Sequence, residues 1–184
     1  TACVYIMLNK KPEGFERERA SGILFHLTSL PSEEGEGTLG QAGRDFVDFL
    51  SESGTKLWQI LPVNPVGLGD SPYLSPAVFA GDVRVIDRKE LPDIEGFQAF
   101  KEENAYWLSD YALYTALGKH FGTYDWTEWP EDAADRTNLS YYKDLLKSET
   151  ESLELEQYYF CIQWYSLKKY ANAKGIKIIG DLPI

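Results

Sequence analysis

The spacing of apolar residues predicts a strand, a helix and a second strand in the first third of the chain. One apolar run predicts a buried strand over residues 22–27, and another, stopped by Pro62, predicts a strand over residues 57–61. Between them, Gly54 follows a helical pattern at the position that commonly ends a helix; the pattern consists of Ala42, Phe46, Phe49 and Leu50. The two strands are therefore expected to be parallel, in a right-handed βαβ unit.

Helical periodicity dominates the chain between the second strand and a third apolar run. It predicts helices over about 97–108, 110–121, 140–147 and 153–174. The last helix ends before Gly175, and its buried stripe is formed by Phe160, Trp164, Leu167 and Ala171. Residues 83–86 are predicted as a short extended piece, and residues 176–180 as a third strand.

All three predicted strands are largely apolar, which is typical of parallel strands covered by helices. A closed eight-stranded α/β barrel takes about 250 residues. A chain of 184 residues that also inserts helices before its third strand would hold only three strands of such a barrel. The expected fold is therefore α/β, a (β/α)8 TIM-type barrel of which the first three strands are present. We expect a lead-in of unclear structure at residues 1–18, the barrel portion at 19–184 and an inserted helical region at 87–150.

Composition indicates a folded domain with an acidic surface. Apolar residues make up 43% of the chain and the net charge is −11, which argues against a nucleic-acid partner because Lys and Arg must neutralise phosphates. A neutral or cationic ligand fits better. Two distant cysteines, no signal-peptide pattern and no apolar run of about 18 residues favour a reduced, soluble, cytoplasmic protein with no membrane partner. The two Cys and two His residues form no recognised zinc spacing, so we expect no metal.

Polar residues follow all three predicted strands, at the ends where parallel sheets place ligand sites. His26 ends the first strand, Asp181 follows the third, and the loop after the second strand carries Asp70, Ser71 and Tyr73. These loop residues offer a carboxylate, two hydroxyls and a flat aromatic face. Such groups suit a ligand with many hydroxyls and apolar C–H faces, such as a sugar. We expect the five residues to form one rim.

Each rim residue also has a purely structural interpretation. Asp70 and Ser71 could cap a turn, and Tyr73 could fill a small core within its own loop. His26 could be a satisfied histidine at a strand end, and Asp181 could begin a turn.

Two further groups of residues are more typical of structure than of chemistry. Trp126 and Trp129 lie beside Pro130, where aromatic residues more often pin a loop to the core than form a stacking platform. The adjacent carboxylates are typical of a solvated acidic face; they are Glu102, Glu103, Glu131 and Asp132. The residues alone indicate no convincing pair of general acid and nucleophile.

Several stretches resemble the 4-alpha-glucanotransferases called amylomaltases or disproportionating enzymes, which are relatives of the alpha-amylases. They are RASGILFHLTSLPS at 19–32, GTLG at 37–40, LWQILPVNPVGLGDSPYLSPAVFAG at 57–81, ENAYWLSDYALYTALGKHFG at 103–122, WTEWP at 126–130 and KGIKIIGDLPI at 174–184. The combination of DSPY after a strand with IIGDLPI is specific. The chain departs from the usual pattern at Leu74, where Gln is common, at Pro76, and at Asp82, where Asn is common.

The resemblance implies a barrel enzyme that breaks and re-forms α-1,4 bonds by a retaining double displacement, without a cofactor. Its partners would be α-1,4-glucans, with glucose as an acceptor. Tyr73 would match the tyrosine that lines the glucan site, with Asp70 and Ser71 in the same loop. Asp181 would match the aspartate of the first amylase-type conserved region. The nucleophile, the general acid/base and the stabilising aspartate of the family lie on later strands, so we expect no catalytic residue in this chain and all three after Ile184.

Two interpretations from other functional classes remain. A non-catalytic glucan-binding module would keep the same rim residues. A scaffold protein would leave the rim unused and bury its tryptophans, namely Trp107, Trp126, Trp129 and Trp164. Binding of a maltooligosaccharide separates the scaffold from the other two, and the sequence downstream of Ile184 separates the enzyme from the module.

Overall fold

Three short parallel strands form the sheet, as the apolar runs predict. The computed structural model describes residues 19–33 and 35–183, so the lead-in predicted at 1–18 lies outside the described residues. In chain order the strands are β1 Gly22–Leu24, β2 Leu57–Gln59 and β3 Lys177–Ile179. Strand β2 lies between the other two, and each strand is shorter than the run that predicted it.

The register of the sheet brings the C-terminal ends of the strands to one edge. Ile23 pairs with Trp58, which pairs in turn with Ile178. One further bond, from the Ile60 N–H to the Ile179 carbonyl (3.0 Å), extends the pairing of β2 and β3. The segments that follow β2 and β3 therefore leave the sheet at the same edge, where the rim is expected.

The described residues form six α-helices. They are α1 Gln41–Glu52, α2 Phe97–Glu103, α3 Leu108–Phe121, α4 Glu131–Ala134, α5 Leu139–Leu145 and α6 Lys147–Ala173. The predicted helical regions are confirmed, although α6 begins earlier than its apolar stripe indicates. The single turn of α4, which follows Pro130, lies in a stretch with too few apolar residues for a helical period to be visible.

The prediction of an extended piece at residues 83–86 is wrong. Val83–Val85 is a 3-10 turn, in which the Asp82 carboxylate accepts a hydrogen bond from the Arg84 backbone N–H (3.0 Å). Alternating β-branched residues favour a strand, but a carboxylate at this position caps the turn by binding a free backbone N–H.

The chain divides into two compact units. The first comprises the chain up to Ile94 together with Tyr159–Ile184, and it contains the sheet and α1. The second, Glu95–Tyr158, is helical. The boundaries place the first part of α6 in the helical unit and the rest of α6 in the unit that contains the sheet.

The core of the first unit lies between the sheet, α1 and the end of α6. Trp58 is fully buried, its ring packs edge-on against Phe46 of α1, and its indole N–H donates to the Phe25 carbonyl (2.8 Å). On α6 the predicted stripe is confirmed, since all four of its residues are buried: Phe160, Trp164, Leu167 and Ala171. Gly175 follows in the left-handed region (φ +77°), where glycine ends a helix without strain. On α1, however, Phe49 is exposed and Val47 is buried in its place.

The helical unit has its own apolar core, to which α3, α4, α5 and α6 contribute. The fully or nearly buried members are Ala112, Leu113, Ala116, Leu117, Trp129, Ala133, Tyr142, Leu146 and Leu153. Beside this core, Glu154 is buried and forms an ion pair with Lys101 (2.5 Å). The buried negative charge of Glu154 is therefore compensated by Lys101 on the neighbouring helix α2.

Two expectations about the environment of the chain can be compared with the structure. Cys161 is buried and forms a disulfide, so the expectation of reduced thiols is wrong for this residue. Spacing in the sequence could not indicate this, because a disulfide depends on which distant segments meet. In the part of the chain that the structure describes, no helix has the length and apolar character needed to cross a bilayer.

Candidate functional site

A hydrogen bond joins the loop after β2 to the segment after β3. The Tyr73 hydroxyl donates to Oδ2 of Asp181 (2.8 Å), and the backbone N–H of Leu182 donates to the other carboxylate oxygen (2.9 Å). Tyr73 is 42% exposed and Asp181 is partly exposed. Two of the five predicted rim residues, 108 positions apart in sequence, are thus brought into contact in a place that solvent reaches.

The pair favours a neutral phenol. The hydrogen bond to the Asp181 carboxylate raises the pKa of Tyr73, because ionising the phenol would place two negative charges side by side. Tyr73 therefore remains a donor at neutral pH. An ionised carboxylate has about four acceptor positions, so Asp181 keeps acceptor capacity beyond these two bonds.

The loop that carries Tyr73 is held at its base by a buried amide. Asn64 is 1% exposed, and its side-chain NH2 donates to the carbonyls of Ala77, Val78 and Ala80 at 3.0–3.3 Å. The Asp82 N–H also bonds to the Val63 carbonyl (2.8 Å), which closes the same loop. These bonds give a loop rich in Pro and Gly a defined shape. Sequence reasoning missed Asn64, whose only signal is a polar residue between Pro62 and Pro65.

Ser71 orients the tyrosine through its own backbone turn. Its hydroxyl oxygen accepts a hydrogen bond from the Tyr73 N–H (3.3 Å), and its carbonyl accepts from the Leu74 N–H (3.2 Å). This arrangement is a serine turn, as the structural interpretation of Ser71 predicts.

Asp70 presents its carboxylate to solvent from a strained backbone position. Its φ is +54°, in the left-handed region that disfavours residues with a Cβ, and its side chain is 86% exposed. The Arg84 guanidinium lies 3.9 Å from the Asp70 carboxylate. The Asp70 carboxylate is therefore available to a ligand.

Arg84 links Asp70 to a buried carboxylate at the end of the loop. Its Nε and Nη2 atoms both donate to Asp82 Oδ2 (3.0 Å and 2.8 Å), and the hydrogen bonds raise the pKa of Arg84. The Asp82 side chain is 8% exposed, so the pair is shielded from water on the carboxylate side. Sequence reasoning noted the unusual Asp82 but missed Arg84, although an acid and a base two residues apart could have suggested the pair.

The charges of this ion pair influence the pKa of His26. His26 is half-buried, and its Nδ1 atom has no hydrogen-bond partner among the described residues. Burial lowers the pKa of His26; the negative charge of Asp82 opposes this shift, and the positive charge of Arg84 adds to it. His26 is therefore neutral at pH 7, and the structure shows no bond between it and Tyr73 or Asp181.

Residues outside the rim behave mostly as their structural interpretations predict. Trp129 is buried and pins its loop, whereas Trp126 is 56% exposed, contrary to the prediction that both pin the loop. Asp132 accepts hydrogen bonds from Asn138 and Tyr142, and the other three predicted surface acids are exposed: Glu102, Glu103 and Glu131. Within residues 19–33 and 35–183, no cluster of three or more His, Cys, Asp or Glu side chains could hold a metal ion.

The exposed groups of the rim are chemically complementary to a ligand that is rich in hydroxyls. The rim combines an exposed aromatic face at Tyr73 with carboxylate acceptors at Asp181 and Asp70. Sugars have both hydroxyls and apolar C–H faces, and aromatic rings with polar neighbours complement them.

Comparisons with known proteins agree on one family. The model of the 4-alpha-glucanotransferase family matches residues 25–95 and 88–184. The 4-alpha-glucanotransferase of Thermus thermophilus is 36% identical, over 92% of this chain and 43% of its own length, and that of Aquifex aeolicus is 37% identical, over 90% and 43%. A solved structure, the amylomaltase from Streptococcus agalactiae in complex with acarbose, superposes with a TM-score of 0.79 at 33% identity, over 90% of this chain and 43% of that one.

The matched relatives are longer proteins. The chain spans less than half of the length of the bacterial relatives named above. The two matches to the family model nevertheless cover every residue from Phe25 to Ile184. The chain belongs to the 4-alpha-glucanotransferase family.

Proposed function

We propose that this chain supplies a glucan-contacting rim to a 4-alpha-glucanotransferase. In the complete enzyme, α-1,4-glucan bonds are cleaved and the glucanyl segment is transferred to the 4-OH of an acceptor glucan or glucose. Family membership supports the reaction, and the bond between Tyr73 and Asp181 is the observation that carries the assignment of the rim.

The fold of the complete enzyme is proposed to be a (β/α)8 barrel. Support comes from the parallel order β1, β2, β3, which follows the order of the chain, as in a barrel. The helical unit Glu95–Tyr158 would be an insertion between the second and third barrel strands. The rim would then lie at the C-terminal face, where barrel enzymes bind their substrates.

Each rim residue has a distinct role in this proposal. The Tyr73 ring packs against the C–H face of a glucose residue, while its hydroxyl fixes the Asp181 carboxylate. The remaining acceptor positions of Asp181 bind sugar hydroxyls, and the exposed Asp70 offers another acceptor. Ser71 sets the direction of Tyr73, and neutral His26 lines the end of β1 without adding a charge.

The chemical steps are assigned to other residues. A retaining transfer needs a carboxylate nucleophile and a carboxylic acid/base about 5–5.5 Å apart. The resemblance places these groups on later barrel strands, so the proposal gives none of the described residues a covalent role. The rim acts by holding and orienting the glucan, with α-1,4-glucans rather than nucleic acids as partners of a chain whose net charge is −11.

Calorimetric titration of the chain with maltoheptaose tests the rim. Binding is expected for the unmodified chain and is expected to weaken by about tenfold in Tyr73→Ala, because the stacking face is lost. Tyr141→Ala is the matched control, because Tyr141 is similarly exposed (54% against 42%) and lies in the helical unit. Equal affinities for all three proteins would remove Tyr73 from the site.

A further inference from the structure

The helical unit contains a cavity that the rim does not include. It has a volume of about 280 Å³ and lies among α3, the 3-10 turn Trp126–Glu128, α4 and the start of α5. Apolar side chains of α3, including Leu113 and Leu117, line it. All of its lining residues lie within Glu95–Tyr158, so the cavity is a property of this unit alone.

The aromatic walls of the cavity are held in fixed positions by hydrogen bonds. The Trp129 indole N–H donates to the Thr123 carbonyl (2.8 Å), and the Tyr114 hydroxyl donates to the Tyr124 carbonyl (2.6 Å). The Tyr114 and Trp129 rings pack against each other with centroids 5.5 Å apart. Because their polar atoms are already satisfied, these two rings offer a rigid apolar surface.

Trp126 differs from these walls because its ring is exposed while its backbone is fixed. The Asp125 carboxylate accepts hydrogen bonds from the N–H and the hydroxyl of Thr127 (3.0 Å and 2.6 Å), which holds the turn that begins at Trp126. The Trp126 side chain lines the cavity and is 56% exposed. An indole on a rigid turn at the mouth of a cavity is pre-organised for stacking on a ligand.

Two charged residues of opposite sign complete the lining. Asp110 comes from the first turn of α3, and Arg136 follows α4 with a φ of +67°. Neither side chain has a hydrogen bond or an ion pair with another described residue. A left-handed backbone at a non-glycine residue is strained, and Asp135 stabilises this turn by accepting bonds from Thr137.

These features select a neutral ring with hydroxyl groups. An anion would meet the Asp110 carboxylate and a cation would meet the Arg136 guanidinium, whereas a hydroxyl can accept from Arg136 and donate to Asp110. The apolar face of the same ring would rest on Trp126. The volume lies just below the range of about 300–1,000 Å³ for drug-sized ligands, so the cavity takes a short ligand rather than a long chain.

We propose that this cavity is a second glucan-binding site, at which Trp126 stacks on a glucose residue near the end of an α-1,4-glucan. The choice of glucan as the ligand rests on the proposed function, whereas the site itself rests on the cavity and its lining. Such a site would tether a long glucan to the helical unit independently of the rim.

Fluorine NMR of the chain labelled with 5-fluorotryptophan tests the proposal directly. The chain has five tryptophans, and the signal of Trp126 can be assigned with Trp126→Phe. Millimolar maltose or maltoheptaose is expected to shift the Trp126 and Trp129 signals in a saturable way, while the signal of the fully buried Trp58 stays in place. The absence of a saturable shift at Trp126 would overturn the proposal. An equal shift with a neutral polyol such as sorbitol would also overturn it.

Variants separate stacking from loss of structure. With Trp129 as the reporter, Trp126→Ala is expected to weaken maltose binding by about tenfold. Arg136→Gln removes a charge without removing the ring and is also expected to weaken binding. Tyr141→Ala is the control, since Tyr141 has nearly the same exposure as Trp126 (54% against 56%) and does not line the cavity. Unchanged binding in both Trp126→Ala and Arg136→Gln would overturn the proposal.

A Tyr73→Ala chain distinguishes this site from the rim. The Trp126 shift is expected to persist in that variant. If it persists while Tyr73→Ala leaves the total glucan affinity unchanged, the rim assignment fails and the cavity site stands. If the unmodified chain binds glucan through Tyr73 while the Trp126 signal does not move, the cavity proposal fails alone.

Discussion

Arg84 holds the buried carboxylate of Asp82 through two nitrogen atoms, and its own backbone N–H caps the same side chain. The pair therefore compensates locally for a charge that this chain carries in the core of the loop. Asp70, 3.9 Å from Arg84, is connected to the same pair.

Arg84→Met is expected to destabilise the chain, because it leaves Asp82 buried with a single backbone donor. An unsatisfied buried charged group costs about 1–3 kcal/mol or more. The urea midpoint of unfolding, followed by circular dichroism, measures the change. The double variant Asp82→Asn/Arg84→Met should recover most of the loss, since its amide needs no counter-charge. A double variant as unstable as Arg84→Met would show that the packing of the Arg84 stem, not the charge, matters.

The ion pair of Lys101 and Glu154 predicts a second stability effect, in the helical unit. Glu154 is 3% exposed, so Lys101→Met would leave a buried carboxylate with only the long bond from Ser109 (3.3 Å). Breaking a buried pair costs about 3–5 kcal/mol, and the partial exposure of Lys101 (30%) lowers that figure toward about 2 kcal/mol. Lys143→Met, at an exposed lysine of the same unit, is the control and should unfold at the midpoint of the unmodified chain. A Lys101→Met midpoint equal to that of the control would contradict the account.

The neutral state of His26 predicts a loss of stability in mild acid. Its pKa in the folded chain lies below the unfolded value of about 6.5, mainly because of burial. The unfolded chain therefore takes up the proton first. The contribution of neutral His26 to the free energy of unfolding is fully present above the pKa of the unfolded chain. It is lost as the pH falls through the lower pKa of the folded chain. Urea midpoints from pH 8 to pH 5 should fall less steeply for His26→Gln than for the unmodified chain, and identical slopes would contradict this.

Apolar periodicity predicts the local parts of the fold well. The strands, α1 and the end of α6 depend on residues close in sequence, so the stripe from Phe160 to Ala171 and the stop at Gly175 are visible in the pattern. The 3-10 turn at Val83–Val85 is not visible in this way, because the side chain of Asp82 outweighs the β propensity of its neighbours.

The site is only partly predictable because its contacts are not local. Strand ends indicate that Tyr73 and Asp181 share a rim, but only three-dimensional structure shows that they are hydrogen-bonded. The three carbonyls that Asn64 binds lie 13 to 16 residues away, so no short pattern reveals its role. Trp126 and Trp129 are close in sequence and differ in burial, which depends on the helices that pack around Trp129.

The assignment of catalysis outside the described residues predicts that the chain does not transfer glucanyl groups. Incubation with maltotriose is expected to yield neither glucose nor longer oligomers, because the proposal assigns the carboxylate pair that forms and breaks the glycosyl-enzyme to residues other than those described. Product analysis by chromatography measures this. Turnover that survives repurification and is lost on substitution of a carboxylate in this chain would show that the catalytic site has been misplaced.

The central claim is that Tyr73 and Asp181 bind glucan as a unit. A double-mutant cycle of Tyr73→Phe, Asp181→Ala and the two together, with maltoheptaose affinity measured by calorimetry, tests it most directly. The account predicts that both single variants bind maltoheptaose more weakly than the unmodified chain. If the two effects were independent, their losses of binding free energy would add. The account predicts instead that the double variant binds at least about twofold more tightly than this sum would give, because each single change already breaks the 2.8 Å bond. Strictly additive effects, or full affinity in both single variants, would contradict the account.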